Sequence, residues 1–303
     1  MRSGFLLSDS ESSVHRPSAY FLTLFLVVIA YAIIGQLPLT VVVAIKPEAM
    51  DAFHAGNLSR LGEVLGKNQV LFLLILPFVF SLLALVLSAK FIHKWSIKSL
   101  FTTADRFDWK RFFLSFVLWG SILSIFLIII TFRTGKVFWN FNSSTFLPLL
   151  LISMILIPIQ TTCEEVLFRS YLMKGFTRSF GKTWIAVLVS GVLFGLMHSS
   201  NPEIESIGMI AMVYYIFTGI FLSILAWKDN GLELSMGYHA INNIFSALIL
   251  TNDWQAFQTD ALFKDYNEPS FGWDSLLTVF IIQPLLVFLF GKLYGWNWRS
   301  EKN

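Results

Sequence analysis

Residues 146–171 read FLPLLLISMILIPIQTTCEEVLFRSY, so three charged side chains follow directly on a long apolar run. A run of this length predicts a membrane-spanning helix, and a carboxylate in hydrocarbon costs at least a few kcal/mol. On a helix Glu165 and Arg169 lie four residues apart on one face and neutralise each other. Glu164 is rotated by about 100° and has no such partner. We interpret Glu165 and Arg169 as organising a site in which Glu164 does the chemistry.

The composition of the chain predicts a polytopic membrane protein. The 303 residues are 55% hydrophobic and 14% charged, with a mean hydropathy of +0.67, whereas soluble domains carry about 25% charged residues. The net charge of +3 gives no indication of nucleic-acid binding. The single cysteine, Cys163, excludes an internal disulfide and a cysteine-rich metal cluster. It lies beside the glutamate pair, but a lone thiol in an apolar helix is more often a packing residue than a nucleophile.

Eight apolar runs are candidates for membrane-spanning segments. Helices are expected rather than strands, because the runs are unbroken and a chain in lipid must satisfy its backbone hydrogen bonds internally. We therefore predict an all-α, polytopic membrane helix bundle with about eight transmembrane helices. The runs cover residues 19–45, 70–93, 112–132, 146–173, 183–198, 207–227, 232–251 and 275–294.

The distribution of basic residues predicts the orientation of the chain. With the N-terminus inside, most of the 22 lysine and arginine residues fall in segments on the cytoplasmic side. Both termini are therefore expected in the cytoplasm, with residues 1–18 as a cytoplasmic tail and residues 19–303 as a single membrane domain. The protein is expected to be integral to the inner or plasma membrane, with the lipid bilayer as a partner.

Two of the five histidines lie within apolar segments, where an ionisable ring needs a partner. Phe194 precedes His198 by one helical turn. His239 and Asn243 lie four residues apart and share one helix face, whereas the neighbouring Asn242 points elsewhere. Gly191 and Gly195 form a pair of small residues four apart, which allows another helix to approach closely.

Glu164, His198, His239 and Asn243 occur on three predicted helices within about eighty residues, and the earlier helices contain no comparable set. A carboxylate base, imidazoles and an amide donor are the groups that hydrolysis of a peptide bond by water requires. We therefore expect these four side chains to meet around one buried water molecule.

The same residues carry a family resemblance. Glu-Glu-x-x-x-Arg at 164–169, Phe-x-x-x-His at 194–198 and His-x-x-x-Asn at 239–243 resemble, in this order, the CAAX prenyl protease and bacteriocin-processing family, known as CPBP, Abi or Rce1-type. The resemblance covers about residues 146–251, and the N-terminal half matches no motif. It implies an intramembrane endopeptidase with an eight-helix bundle and a site that opens toward the cytoplasm.

The resemblance also implies a role for each matched position. Glu164 would activate water, His198 would assist it, and His239 with Asn243 would hold the oxyanion. The supporting residues are Glu165, Arg169 and Phe194. One placement conflicts with this assignment, because His198 lies at the end of a run directed outward and so nearer to the outer side than Glu164.

A zinc-dependent form of the site is a second hypothesis. Two histidines and a glutamate are a known catalytic zinc set, and here the ligands would be Glu164, His198 and His239. The segment contains no His-Glu-x-x-His helix, so no cofactor is assigned from the sequence, and zinc stays an alternative.

Two further classes of function stay open. Intramembrane glutamate and histidine also occur in proton-coupled transporters, although no repeat relates the two halves of the chain. A non-catalytic immunity or scaffold protein would keep the same fold. For the endopeptidase, the expected partner is a membrane-associated protein or peptide, cut near its C-terminus or in a leader. Prenylated C-termini, peptide leaders and membrane-anchored regulators are not distinguished, and no nucleic-acid partner is expected.

Overall fold

The apolar runs fold as helices. The computed structural model describes residues 4–7 and 13–298. The helices, in chain order, are α1 (Pro17–Ala44), α2 (Pro47–His54), α3 (Leu58–Leu65), α4 (Lys67–Phe91), α5 (Trp109–Thr134), α6 (Ser143–Phe180), α7 (Thr183–Leu196), α8 (Pro202–Ile207), α9 (Ala211–Asp229), α10 (Glu233–Ile244) and α11 (Trp273–Tyr294).

Among the described residues, six helices are long and apolar enough to cross a membrane: α1, α4, α5, α6, α9 and α11. The protein is a polytopic helix bundle and an integral membrane protein. The predicted number of eight is not confirmed, because α7 has 14 residues and α10 has 12. Proline does not end these helices, since α4 continues past Pro77 and α6 past Pro158.

Three helices contain or continue into π-helical turns close to the predicted site. These turns are Ala30–Gly35 within α1, Val166–Leu172 directly after Glu165 in α6, and Phe245–Ile249 directly after α10. A π turn changes the direction in which the following side chains point, and such turns are frequent at functional sites.

Helix α7 packs closely against α9 through its glycines. A Cβ atom at Gly191 would lie 2.6 Å from the Cα of Ile220, and one at Gly195 would lie 2.7 Å from the Cα of Ile216. The close approach predicted for this pair of small residues is therefore present in the structure. Elsewhere α10 packs against α5 and α6, and α4 packs against α1 and α6.

A small sheet lies at one end of the bundle. Its strands are β1 (Val137–Trp139), β2 (Leu250–Thr251) and β3 (Phe263–Asp265), in the order β1-β3-β2. β1 is antiparallel to β3, and β2 is parallel to it. The sheet joins the end of α5 to the chain that follows α10.

The described part of the predicted N-terminal tail is packed against the bundle. Phe5 and Leu6 are buried, and Arg178 near the end of α6 donates to the carbonyl oxygen of Leu6 at 2.8 Å. Residues 1–3 and 8–12 of this predicted tail lie outside the described residues, as do residues 299–303 at the other terminus. The cytoplasmic location of both termini stays a prediction.

Candidate active site

The glutamate–arginine pair forms a fully buried ion pair. Arg169 Nη1 lies 3.2 Å from Glu165 Oε1, and neither side chain is exposed. The guanidinium also lies over the ring of Phe194, with Cζ 3.8 Å from the ring centroid, and it donates to the carbonyl oxygen of Gly219 at 3.5 Å. These contacts tie α6 to α7 and α9, as expected of a buried charge that must be paired.

His239 lies between the two carboxylates of the Glu-Glu pair. Its Nδ1 is 2.8 Å from Glu165 Oε1, and since an ionised carboxylate only accepts, Nδ1 carries the proton. Its Nε2 faces Glu164 Oε2 at 3.4 Å. The ring therefore joins the buried ion pair to the glutamate that the sequence predicts to be the base.

The charges of this cluster balance in one protonation state. Two ionised glutamates and Arg169 leave one negative charge. A doubly protonated His239 would donate one N–H toward each carboxylate and would bring the buried cluster to neutrality. Neutral clusters avoid the large cost of an unpaired charge in a medium of low dielectric constant.

Glu164 lies on the wall of a cavity of about 1280 Å³. Its side chain is 14% exposed, and its Oε1 accepts a hydrogen bond from Gln160 Nε2 at 2.8 Å. The same cavity is lined by His198, Asn243 and Phe194. Asn243 Nδ2 lies 3.5 Å from His239 Nε2, so the structure brings Glu164, His239 and Asn243 into direct contact.

His198 joins the site through aromatic contacts. Helix α7 ends at Leu196, and His198 lies in the turn that follows it. Its Nδ1 donates to the carbonyl oxygen of Phe194 at 2.8 Å, and its ring stacks on Tyr215 at 4.5 Å. His198 and Glu164 line the same cavity, and the depth of His198 in the membrane stays a prediction.

Phe194 is central to the arrangement. Its ring centroid lies 4.7 Å from that of His198 and 5.7 Å from that of His239, and it also packs against Arg169. The phenylalanine of the Phe-x-x-x-His motif therefore separates the two imidazoles and covers the ion pair below them.

Sequence reasoning missed two amide side chains. Gln160 bridges Glu164 and Asn243, since its Oε1 accepts from Asn243 Nδ2 at 3.1 Å. Asn242 was expected to point elsewhere, but it donates to Asn243 Oδ1 at 3.2 Å and lines the cavity. The spacing of four residues between Gln160 and Glu164 is a signal that could have identified Gln160.

The N-terminal half also contributes to the site, although it carries no motif. Tyr31 lies in the π turn of α1 and lines the cavity together with Phe78 of α4, their rings packing edge to face at 5.2 Å. Gly35 allows this approach of α1 to α4, because a Cβ atom there would lie 2.5 Å from the Cα of Pro77.

The cavity extends toward the end of the bundle that carries the sheet. Its lining residues include Arg133 in the last turn of α5, Lys136 just after that helix and Asp274 at the start of α11. The distribution of basic residues places this end outside, whereas the family resemblance implies a site open to the cytoplasm. These two predictions about sidedness disagree with each other, and both stay predictions.

The predicted zinc ligands are only partly suited to a metal. His198 and His239 each have Nδ1 bonded to an oxygen and so present Nε2, as metal-binding histidines do. Among the residues that the structure describes, however, no three His, Cys, Asp or Glu side chains are grouped so that they could hold an ion. Zinc binding by Glu164, His198 and His239 stays an alternative.

Comparison with known proteins identifies the segment that carries the site. Residues 143–245 match the family model described as type II CAAX prenyl endopeptidase Rce1-like. Over this segment the chain is similar to Rce1-like proteins. All seven predicted site residues fall inside it, and the resemblance drawn from the three motifs is confirmed. The matched segment comprises α6 to α10, whereas α1 to α5 lie outside the match.

Two relatives extend the comparison. YyaK of Bacillus subtilis (strain 168) is 30% identical over 177 residues, which are 57% of this chain and 59% of YyaK. The UPF0177 protein YxdF of Lactococcus lactis subsp. lactis (strain IL1403) is 26% identical over 168 residues, 53% of this chain and 89% of YxdF. The chain thus spans less than two thirds of the length of YyaK. No solved structure matches the chain.

Proposed function

We propose that the protein is an intramembrane endopeptidase that hydrolyses a peptide bond of a membrane-associated protein or peptide with water activated by Glu164. The observation that carries this proposal is the placement of Glu164 on the cavity wall, in contact with His239. The family match supports a protease of the CAAX type at the level of the family.

The proposed first step is attack by water on the scissile carbonyl carbon. Glu164 Oε2 takes one proton from the water while the hydroxide oxygen bonds to carbon, so a tetrahedral intermediate with one negatively charged oxygen forms. General-base assistance of this kind contributes about 10²–10⁴ in rate. His198 presents Nε2 to the same cavity and would orient the water.

The oxyanion would be stabilised by donors that lie beside Glu164. Asn243 Nδ2 and the Nε2–H of a doubly protonated His239 lie side by side, and each donor aimed at the developing charge contributes about 10²–10³. In the second step the carbon–nitrogen bond breaks, and Glu164 returns its proton to the leaving amine. Glu165 and Arg169 would hold His239 in place, since Glu165 fixes its Nδ1.

The cavity suits a substrate with an apolar segment. Its wall includes Tyr31, Phe78 and Leu127 from three helices, and its volume of about 1280 Å³ exceeds the usual 300–1,000 Å³ of small-ligand pockets. A peptide segment of a membrane-associated protein therefore fits the site better than a small soluble molecule.

The proposal is tested by comparing cleaved termini in the membrane proteome. Cells that express the wild-type protein, Glu164→Gln or His239→Ala at equal levels are compared with cells lacking the protein. Termini that depend on the wild type and disappear with both variants support the endopeptidase. Identical termini in all four samples would favour a transporter or a non-catalytic scaffold.

A catalytic zinc ion is tested on the purified protein. Metal analysis and chelator treatment distinguish the two mechanisms, since stoichiometric zinc whose removal abolishes cleavage would overturn the metal-free mechanism. The proposal predicts that cleavage persists in the presence of a chelator.

A further inference from the structure

We propose that Gln160 and Asn242 are positioning residues of the active site. With Asn243 they form a directional hydrogen-bond chain that begins at Trp119 and ends on Glu164. The chain fixes which oxygen of Glu164 acts as the base and which atom of Asn243 faces the substrate. This inference rests on the proposed function, because it assigns roles within the same hydrolytic site.

Trp119 fixes the direction of the hydrogen-bond chain at its first end. Its indole nitrogen only donates, and it lies 3.2 Å from Asn242 Oδ1. The Tyr214 hydroxyl donates to the same oxygen at 3.5 Å. With its oxygen occupied, Asn242 presents Nδ2 to Asn243 Oδ1 at 3.2 Å. Trp119 is 1% exposed, so its side chain is held by packing.

The other end is fixed by Glu164. An ionised carboxylate only accepts, so Gln160 must present its Nε2 to Glu164 Oε1. The oxygen of Gln160 then faces Asn243 and accepts from its Nδ2. Both ends therefore require the same orientation of Asn243, with Oδ1 toward Asn242 and Nδ2 toward Gln160.

The direction of the chain cannot reverse when Glu164 takes up a proton. A proton on Oε1 would weaken that oxygen as an acceptor for Gln160 Nε2, and an O–H aimed at Gln160 could be accepted only if Gln160 and each following amide turned. The last of them, Asn242, would present an N–H to the indole N–H of Trp119, which has no acceptor. The proton that Glu164 receives is thus directed to Oε2.

A proton on Oε2 agrees with the positions of the two carboxylate oxygens of Glu164. Glu164 Oε2 is a buried atom without a hydrogen-bond partner among the described residues, and it faces His239 Nε2 at 3.4 Å. The bond from Gln160 holds Oε1 away from the reaction and leaves Oε2 beside the imidazole. Gln160 can do this because it lies one turn before Glu164 on the same face of α6.

The hydrogen-bond chain also determines which group of the Asn243 amide faces a substrate. Its oxygen is occupied by Asn242, and one N–H is used by Gln160. The second N–H lies on the side of His239, where the proposed oxyanion forms, with Nδ2 3.5 Å from His239 Nε2. Without the chain, Asn243 could turn and present its oxygen, which would repel the oxyanion instead of stabilising it.

The test uses the full-length protein in lipid nanodiscs and needs no substrate for its first part. Infrared difference spectra between wild type and Glu164→Gln identify the carboxylate band of Glu164. We expect Gln160→Met, which keeps the size of the side chain but cannot donate, to shift this band. Gln283→Met removes a buried amide that bonds Thr218 and Tyr238 outside the chain and should leave the band in place.

The second part measures kinetics on a peptide whose cleavage depends on Glu164. We expect Gln160→Met and Asn242→Asp to lower kcat by about 10- to 100-fold with KM changed less than twofold, because one oriented donor is lost. Asp at position 242 keeps the acceptor for Trp119 but has no N–H for Asn243. Gln283→Met should keep the wild-type kcat even where it lowers the melting temperature.

The outcomes separate the two proposals. An unshifted Glu164 band in Gln160→Met, or wild-type kcat in both chain variants alongside an inactive Glu164→Gln, would overturn the directional chain alone. Wild-type cleavage by Glu164→Gln would overturn the proposed function, and the role assigned to the chain with it.

Discussion

His239 Nδ1 lies 2.8 Å from Glu165 Oε1, although the two residues are 74 positions apart in the chain. This hydrogen bond connects α10 to α6 and gives Glu165 a role in holding the imidazole ring. Glu165 balances Arg169 on one side and orients the imidazole on the other. The first glutamate is thereby left to face the cavity.

The buried ion pair makes a strong prediction about stability. Removing one partner of such a pair leaves an uncompensated buried charge, so Arg169→Met should lower the free energy of unfolding by about 3–5 kcal/mol. Adding Glu165→Gln to Arg169→Met should recover part of that loss. The measurement is the unfolding of the purified protein in detergent.

A matched control is available on the surface. Arg60 pairs with Glu63 at 2.8 Å, but both side chains are more than half exposed, so Arg60→Met should change stability little. Equal losses in Arg60→Met and Arg169→Met would contradict the importance of burial at the Glu165–Arg169 pair.

The contact between α7 and α9 predicts a steric effect at Gly195. Gly195→Ala should cost about 1–3 kcal/mol of stability, because its new methyl group meets the backbone of Ile216 at 2.7 Å. In Gly120→Ala the methyl group instead meets the side chain of Ile241 at 2.9 Å, and that side chain can move. Thermal unfolding should rank Gly195→Ala as the less stable variant, and the reverse order would refute this packing.

The stack between Tyr215 and His198 predicts a graded effect on catalysis. Aromatic pairs contribute about 0.5–1.5 kcal/mol beyond burial, so Tyr215→Leu should lower the cleavage rate by up to about tenfold. Tyr215→Phe keeps the ring and should retain most of the rate. If both variants lose activity equally, the hydroxyl group and not the stacking orients His198.

Glu203 predicts a dependence of stability on pH. It lies in α8, outside the membrane-spanning helices, where burial raises the pKa of its carboxyl group. The folded state then holds the proton more tightly than the unfolded state, so stability falls as pH rises from the ordinary glutamate pKa to the raised one. Glu203→Gln stays neutral and should lack this loss.

The predicted fall in stability with rising pH is checked by measuring the melting temperatures of the wild type and of Glu203→Gln across pH. Glu205→Gln removes the same charge at an exposed position of the same helix and controls for net charge. Parallel curves for the wild type and Glu203→Gln would contradict the role of the buried carboxyl group.

Much of the fold could be predicted from hydrophobic run length. The runs at 19–45 and 112–132 correspond to α1 (Pro17–Ala44) and α5 (Trp109–Thr134) within a few residues. The relation between His239 and Asn243 also followed from helical spacing alone, since residues four apart share a face. These features depend on local periodicity, which one sequence contains.

Other features depend on packing between distant helices and could not be predicted. The spacing of Gln160 and Glu164 is visible in the sequence, but the contact of Gln160 with Asn243 joins α6 to α10 and is not. Tyr31 faces the cavity because α1 contains a π turn, which the hydrophobic pattern does not indicate. His198 lies in the turn after α7 because that helix ends at Leu196, an end that the hydrophobic run does not mark.

The central claim is that Glu164 activates water for hydrolysis of a peptide bond. Its most direct measurement is the cleavage rate of wild type and Glu164→Gln, purified in lipid nanodiscs, on one membrane peptide cut by the wild type. We predict a loss of at least about 10²-fold in kcat for Glu164→Gln, with unchanged melting temperature. A Glu164→Gln variant that cleaves the peptide at the wild-type rate would contradict it.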